Sequence, residues 1–411
     1  MKLLFYNHTA TVSGAERVLL LIVSQLDNAE FKSVVLCPAG ALQAEVEATG
    51  VPCLTVEKLE ARFTWRPDLL LRYLASFLRV ILRVRTQVKT VAPDLIHANS
   101  IRAGLVMTAA TIGLRVPVLW HLHDLLPHHP ISTAIRGFVL LAPRVRLLAV
   151  SNATAVRFRG LLLRLRRVPS QVILNCADTE KFQPNAEHGT ALRAALQLED
   201  DALVVGSIGQ ITARKDPLGL IRAFALVAQE LPQAVLLIVG EPLFTAADQL
   251  YDQQLRQIVT ELGLTHQVRF LGARRDVPAI MQALDVLVVN SLAEPCGLVV
   301  LEGMASGLPV IATAVGGNPE MIYHALCGWL IPAQSDAVLA RAILHLAHLP
   351  ALRQQLGINA RMRVTQHFTV KIYMAALREL YLASDYTQAD NAQFPEMRKQ
   401  RQPGALRFDR D

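Results

Sequence analysis

Two doubly wound α/β domains are what this sequence predicts, and three observations predict them. Short apolar runs alternate with helical patterns from the first residues onward, as in repeated strand-helix-strand units with parallel sheets. The alternation occurs twice, once before Cys176 and again from Ala202. The chain has 411 residues, 52% of them hydrophobic, enough for two domains that each bury a core and unlike a disordered chain.

In order, Lys2–Asn7 is the first strand, and Ser13-Gly14 opens a helix that runs through Leu26. Gly14 lets the backbone come close to a ligand at that helix start. Further strands are expected at Ser33–Cys37, Asp94–Ala98, Val116–His121, Arg146–Val150 and Gln171–Leu174. A second set follows at Ala202–Ile208, Ala234–Val239, Gln267–Leu271, Val286–Val289 and Pro309–Ala312. Helical patterns then run from Ser335 to about Tyr386, and residues 387–411 are polar and without periodicity, as in a disordered tail.

Lys and Arg outnumber Asp and Glu by 41 to 34, for a net charge of +7, and the excess is mostly Arg in the first half, which implies an acidic partner. Cys37, Cys53, Cys176, Cys296 and Cys327 show no paired spacing, so neither a zinc site nor a disulfide framework is suggested and a reducing compartment fits. Met1-Lys2 leads straight into LLFYN, and no apolar run reaches the ~18 residues of a spanning helix. The expectation is a cytoplasmic protein that does not cross a membrane, with peripheral contact at the inner face of the plasma membrane left open.

The stretch most informative about chemistry is Ser291–Glu320, SLAEPCGLVVLEGMASGLPVIATAVGGNPE. Pro295 and Gly297 interrupt regular structure, good helix formers resume over Leu298–Ala305, and Gly307 ends the run. Glu294 thus sits on a loop and Glu302 about one turn into a helix. Between them lie the amides of Gly297, Leu298 and Val299 at a helix start, which suits an anion such as a diphosphate. A carboxylate on either side accepts hydrogen bonds from hydroxyls, as a ribose or hexose offers them. Together they fit a nucleotide-sugar.

Arg214 and Lys215, in GSIGQITARKDPLGL, follow a strand and precede a helix that Asp216 caps with Pro217 at its first position. Two cations there would neutralise a diphosphate without a metal. WHLHD, Trp120–Asp124, ends another strand at the carboxyl edge, where doubly wound folds place ligands, so His121 or His123 can donate a hydrogen bond or hold a proton. His128 and His129 lie close in sequence, but no carboxylate or Cys arrangement completes a metal site with them.

Glu294, seven residues, Glu302, followed by MASGLPVIAT and GGNPE, resembles the donor-site signature of family 4 retaining glycosyltransferases. Cys296 departs from the aromatic residue common there, at a position where the backbone does the binding. SGAERVLL resembles the family's first glycine-rich loop, and VILNCADTEKF resembles the segment by which it leaves its first domain. The resemblance covers nearly the whole chain to about Tyr386. It implies the GT-B fold: two Rossmann-like domains facing a central cleft, with Gln366–Tyr386 crossing back onto the first. Residues 1–180, completed by 368–386, would be the acceptor-side domain and 190–367 the donor domain, with a linker near Cys176–Gly189.

The resemblance also implies site roles. Gly14, Gly209, Arg214, Lys215, Glu294, Cys296, Gly297, Leu298, Val299 and Glu302 would hold the donor, with base contacts around Gly272 and Arg274. His123 would stand beside the donor sugar, with Asp124 orienting its imidazole and His121 as the alternative. Catalytic function would rest on His123, Glu294, Arg214 and Lys215. Transfer would run by front-face attack, the acceptor hydroxyl losing its proton to the departing phosphate, with no protein nucleophile, no cofactor and no metal. The only Asp-x-Asp, Asp409 to Asp411, lies in the expected tail.

Two basic stretches complete the inventory. In Leu69–Thr90, Arg72, Ser76, Arg79, Arg83 and Thr90 share one face at 100° per residue, as in an interfacial helix or in a Rossmann helix with a basic solvent face. Arg157–Arg167 adds a second basic helix. An anionic membrane surface or a glycan or lipid-linked acceptor fits these. Nucleic acid does not, because aromatic interleaving and any recognised motif are missing. Nor does a dinucleotide oxidoreductase, since no G-x-G-x-x-G follows either first strand. A degenerate, binding-only protein and an epimerase-like GT-B enzyme are the remaining alternatives.

Overall fold

The computed structural model describes residues 1–59, 67–127, 129–165, 168–243 and 245–383. His128, Arg166, Arg167, the Asp409–Asp411 motif and residues 387–411 lie outside the described residues. The chain divides into two compact units, Met1–Ile173 joined by the chain from Met374, and Leu174–Tyr373.

The first unit holds β1 (Lys2–Tyr6), β2 (Lys32–Pro38), β3 (Cys53–Val56), β4 (Leu95–Ala98), β5 (Val118–Leu122), β6 (Val145–Ala149) and β7 (Ser170–Val172). All pair in parallel, in the order β3-β2-β1-β4-β5-β6-β7. Strands covered on both faces are continuously apolar, as LLFY in β1 and VLWHL in β5 are. The order reverses between β1 and β4, so the loops after these two strands border the crevice where such sheets bind ligands. The edge strand β3 was not expected; it is only CLTV and largely half-buried. Its pairing with β2 also places the Cys37 and Cys53 sulfurs 3.6 Å apart as free thiols, a proximity that their spacing did not announce.

The helix Pro67–Val91 buries Val80, Val84 and Val88, one every fourth residue, against the sheet. Ser76 continues that buried row at 7% exposure, so it does not belong to the basic face as expected. Arg72, Arg79, Arg83 and Thr90 are exposed, and beside them stand Leu74, Leu78 and Leu82 at 56%, 57% and 55% exposure. The expected second basic helix is also corrected. The helix Asn152–Leu165 breaks at Gly160 (φ 53°, ψ −166°), a conformation that favours glycine. Arg136 takes the carbonyls just before the break, Phe158 O at 2.7 Å and Arg157 O at 3.0 Å. Arg157 itself is tied inward, its Nε donating to Leu126 O at 2.9 Å.

The second unit holds β8 (Val204–Ile208), β9 (Val235–Val239), β10 (Val268–Gly272), β11 (Val286–Val289), β12 (Val310–Thr313) and β13 (Trp329–Ile331). The order is β10-β9-β8-β11-β12-β13, again parallel, with the reversal between β8 and β11. Leu220 and Phe224 of the helix Pro217–Glu230 pack with Val205, Leu236 and Val286 in its core. The three-residue β13 was too short to be expected from its pattern. The final helix, Val370–Leu382, belongs to the first unit from Met374 onward. There the Tyr381 hydroxyl lies 2.7 Å from His97 Nδ1, and Arg378 grips Glu30 with two bonds of 2.6 and 2.5 Å.

Candidate active site

In the second unit the site is built on the loops after β8 and β11, at the point where the strand order reverses. Beyond β8 the chain passes Gly209, turns once through Ala213–Lys215 and starts the helix Pro217–Glu230. Asp216 caps that helix as expected, accepting from Gly219 N at 3.1 Å. Asn290, the first residue after β11, donates to Asp216 at both its carbonyl and its carboxylate, each at 3.1 Å. This cross-tie brings Lys215 to the β11 loop, where its Nζ donates to Oε2 of the buried Glu294. Ser291 Oγ donates to the same oxygen at 3.1 Å, and Oε1 accepts nothing among the described residues.

Few backbone groups of that loop are left loose. Thr313 Oγ1 donates to Ser291 O at 2.6 Å, Leu292 N to Arg214 O at 2.8 Å, and the Arg214 guanidinium to Ala293 O at 2.9 Å. Gly317 N donates to Glu294 O at 2.9 Å, and Asn175 Nδ2 to Cys296 O at 3.1 Å. Gly316 passes so close that a β-carbon there would lie 1.8 Å from Glu294 O, and its φ of +55° favours glycine as well.

The helix Leu298–Ala305 starts where the sequence placed it, with Gly297 at its N-cap. Val300 N is engaged with Gly297 O at 3.1 Å, while Leu298 N and Val299 N meet no acceptor among the described residues. These two amides and the dipole behind them form an anion cradle next to Lys215 and Glu294. Cys296 contributes no side chain to it: its thiol is buried 3.8 Å from Met321 Sδ, and burial raises its pKa far above the usual thiol range. Glu302 is half-buried on the first turns of the helix. A pocket lined by Gly209, Gln210, Lys215, Asn290 and Ser291 opens beside this loop. The strand ends beside it are tied by backbone, with Gly209 N on Val239 O at 2.9 Å and Gly240 N on Gly272 O at 2.8 Å. The Arg274 guanidinium is committed to Asp276 through bonds of 2.8 and 2.6 Å.

In the first unit the corresponding edge carries a polar network that the sequence did not reveal. Asn7, directly after β1, and Asn99, directly after β4, are both fully buried. Asn99 Nδ2 donates to Asn7 Oδ1 and to Ala15 O, both at 3.1 Å, and its Oδ1 faces His123 Nε2 at 3.0 Å. Asn7 Nδ2 donates to Thr9 O at 2.8 Å and to Glu16 Oε1 at 3.2 Å. The Glu16 carboxylate also accepts from Ser13 N at 3.1 Å, so Gly14 enters its helix beside a carboxylate that is already satisfied. The only sequence signal for Asn7 and Asn99 was their position immediately after an apolar strand.

Of the two histidine alternatives, His123 is half-buried beyond the end of β5, whereas His121 is fully buried within it. His121 Nδ1 meets His97 Nε2 at 3.1 Å, its Nε2 has no partner among the described residues, and its ring centroid lies 3.9 Å from that of His123 with the planes tilted by 43°. Burial pushes the His123 pKa down to about 3 and holds His121 well below its usual value. Burial, helped by His123, brings His97 to about 3. All three rings are therefore neutral at neutral pH. His8, bonded to Ser100 Oγ at 3.0 Å, is lowered to about 4 by burial and then by the charge of Arg102. Asp124 is exposed next to His123; the ring partner the structure provides is Asn99.

Two parallel sheets of Rossmann order with a cation-carboxylate pair at a helix start are the frame of a GT-B glycosyltransferase, and known proteins agree. Residues 12–181 match the family Glycosyltransferase Family 4 and residues 190–363 match Glycosyl transferases group 1. The lipopolysaccharide core biosynthesis glycosyltransferase LpsD of Rhizobium meliloti (strain 1021) is 30% identical over 328 residues, 77% of this chain and 86% of that protein. A D-inositol 3-phosphate glycosyltransferase of Saccharomonospora viridis is 29% identical over 326 residues, 75% of this chain and 74% of that one. The crystal structure of Anabaena HepE with UDP and glucose superposes with a TM-score of 0.79 at 29% identity, covering 93% of this chain and 100% of that one, and the same protein with UDP-glucose gives 0.78. The chain belongs to family 4 of the glycosyltransferases.

Proposed function

We propose that this glycosyltransferase moves a sugar from a nucleoside-diphosphate sugar to a hydroxyl of a glycan or lipid-linked acceptor, with retention and without a metal. The observation that carries the reading is the Lys215–Glu294 pair beside the open amides of Leu298 and Val299. An ammonium has three protons, so Lys215 can keep one on Glu294 and direct the others at a phosphate. With Arg214 and the helix start it supplies the positive field that a departing diphosphate needs. Gly209 and Gly297 let that phosphate approach the backbone. Glu302 takes the ribose hydroxyls, backbone near Gly272 and Arg274 takes the base, and the open Oε1 of Glu294 takes a hydroxyl of the transferred sugar. On the first unit taken by itself, Gly14 at its helix start can approach a phosphate and His123 can attend a sugar hydroxyl. The complexes of HepE with UDP and with UDP-glucose support this class of donor.

In the reaction the acceptor oxygen bonds to the anomeric carbon on the face from which the phosphate oxygen leaves. The acceptor proton passes to that departing oxygen, so no protein nucleophile enters and the configuration is kept. The inositol 3-phosphate in the name of one relative is anionic, and an anionic acceptor is in line with the net charge of +7 here. The exposed leucines and arginines of the helix Pro67–Val91 support a peripheral position on an anionic, cytoplasm-facing membrane surface. No helix among the described residues is long and apolar enough to cross a membrane.

The test is a thermal-shift panel of nucleoside diphosphates and nucleotide-sugars, followed by transfer in excess chelator. A ligand at a hundred times its dissociation constant stabilises by about 2.7 kcal/mol. An unmoved melting point across the panel, or transfer lost in chelator and restored by magnesium or manganese, overturns the donor or the metal-free reading respectively. An inverted anomeric configuration in the product overturns retention.

A further inference from the structure

We infer that Asn99 is a positioning residue that locks His123 as the Nε2-protonated tautomer, leaving Nδ1 as a lone-pair acceptor for a substrate hydroxyl. The inference rests on the glycosyltransferase reading for the identity of the hydroxyl, but its geometry is independent of it. Which end of each amide is nitrogen is decided by backbone. Asn99 Nδ2 lies 3.1 Å from Ala15 O and Asn7 Nδ2 lies 2.8 Å from Thr9 O, and a carbonyl oxygen only accepts. Asn99 Oδ1 must therefore be the atom that faces His123 Nε2 at 3.0 Å. An amide oxygen also only accepts, so that ring nitrogen carries the proton. In a neutral ring the other nitrogen then has none.

The chain continues behind Asn99 in one sense. Asn99 donates to Asn7 Oδ1 at 3.1 Å, and Asn7 donates to the Glu16 carboxylate at 3.2 Å. Every amide in the row donates toward a carbonyl or toward Glu16, and reversing any one of them would set oxygen against oxygen. The opposite tautomer of His123 would place a lone pair against Asn99 Oδ1. His123 Nδ1 makes no hydrogen bond among the described residues, and the ring is half-buried at the carboxyl edge of the sheet. The sequence-based expectation left the ring free to donate or hold a proton; the network leaves it able only to accept. A sugar hydroxyl, which donates well, is the chemical partner that fits.

The groups around the ring are His97 from β4, His121 within β5, Asp124 on its own loop and, at the far end of the amide chain, Glu16. His97 and His121 are neutral. The test uses the full chain with nitrogen-labelled histidine, the His123 signals being assigned by their loss in His123→Gln. The expected spectrum at neutral pH has a protonated Nε2 and a bare Nδ1. A protonated Nδ1, or an imidazolium, overturns the proposal whether or not transfer is observed, while absent transfer with the expected spectrum overturns only the functional reading.

Two variants separate positioning from folding. Asn99→Ala should yield mixed tautomers and a fall in kcat/KM of about ten-fold or more, with nucleoside diphosphate affinity unchanged. Asn99→Asp keeps an acceptor beside Nε2 but adds a charge that raises the pKa of His123, so the ring becomes an imidazolium, whose Nδ1 cannot accept, at a higher pH than in the wild type. Its activity should hold at neutral pH and fall on acidification through the raised pKa, at a higher pH than the wild type loses activity. A purely structural role predicts a loss independent of pH. Wild-type tautomer and kcat/KM in Asn99→Ala, or a flat pH response in Asn99→Asp, would refute the assignment.

Discussion

Lys215 Nζ donates to Glu294 Oε2, a bond that joins the loop after β8 to the loop after β11 at the reversal point of the second sheet. Glu294 is 5% exposed, so this cation is what makes a buried carboxylate tolerable. Each partner also positions the other: the lysine is drawn back from solvent, and the carboxylate presents its second oxygen outward.

Glu294→Gln replaces the carboxylate with a neutral amide of the same shape and should spare nucleoside diphosphate affinity while lowering transfer, because the sugar is bound but poorly aimed. Glu302→Gln should weaken nucleoside diphosphate and nucleotide-sugar alike, by the ~1.5–3 kcal/mol typical of hydrogen bonds to a charged group. Lys215→Met should depress both affinity and rate, and it should also lower the melting temperature by stranding the Glu294 carboxylate. Calorimetry with the diphosphate and turnover with the full donor separate the effects. If Glu294→Gln abolished diphosphate binding and Glu302→Gln left it intact, the two carboxylates would have exchanged roles.

Gly316→Ala should damage the same loop from behind. Its β-carbon would lie 1.8 Å from Glu294 O at a φ of +55°, so backbone must shift in addition to the roughly 1–2 kcal/mol of left-handed strain. Gly263→Ala is the control, with a φ of +70° and nothing within 4 Å of the added carbon. Thermal unfolding should show a small loss for Gly263→Ala and a larger one for Gly316→Ala, and only the second should lose transfer. Equal losses would mean that the close approach to Glu294 is unimportant.

How legible the sequence was follows from where each signal came from. The helix Leu298–Ala305 and β11 were found to the residue because Asp285, Asn290, Pro295, Gly297 and Gly307 punctuate the local chain. Asp216 and Pro217 marked a helix start in the same way. Asn7 and Asn99 were invisible because they meet across 92 positions, and a lone amide after a strand has no spacing to read. His121 and His123 could not be separated by periodicity, since β5 is buried on both faces; only the strand end distinguishes them. The Cys37–Cys53 contact and the burial of Ser76 depended likewise on partners outside the segment.

The buried histidines make a prediction about acid. Their folded pKa values lie below the ordinary 6.5, at about 3 for His97 and His123. Above pH 6.5 both folded and unfolded chains carry them neutral and they add no pH dependence. Between 6.5 and about 3 the unfolded chain binds protons that the folded chain refuses, so stability falls as pH falls, by up to about 1.4 kcal/mol per pH unit for each ring. Melting temperature should decline steeply from pH 6.5 to 5, and His121→Leu, which removes a buried ring with an unpartnered nitrogen, should make the decline shallower. A profile unchanged by His121→Leu would mean that this ring is not the one resisting protonation.

Membrane attachment is the remaining prediction, and the burial pattern of the helix Pro67–Val91 sharpens it. Val80, Val84 and Val88 face the core, so Leu74, Leu78 and Leu82, four residues apart on another face, have no role in packing the sheet. Arg72, Arg79 and Arg83 are exposed beside them. Each leucine placed in the headgroup boundary would contribute up to about 1.5–3 kcal/mol, and each arginine near an anionic surface roughly 1 kcal/mol that weakens with salt. Flotation with anionic vesicles should therefore recover the protein at low salt, less of it at high salt, and little with neutral vesicles. Leu78→Glu should abolish recovery at any salt, because it removes apolar contact and adds a repelled charge, whereas Arg79→Gln with Arg83→Gln should leave a weaker but less salt-sensitive association. Transfer to a water-soluble acceptor should survive both changes. Equal binding to neutral and anionic vesicles, or full binding by Leu78→Glu, would show that this face is not the membrane contact.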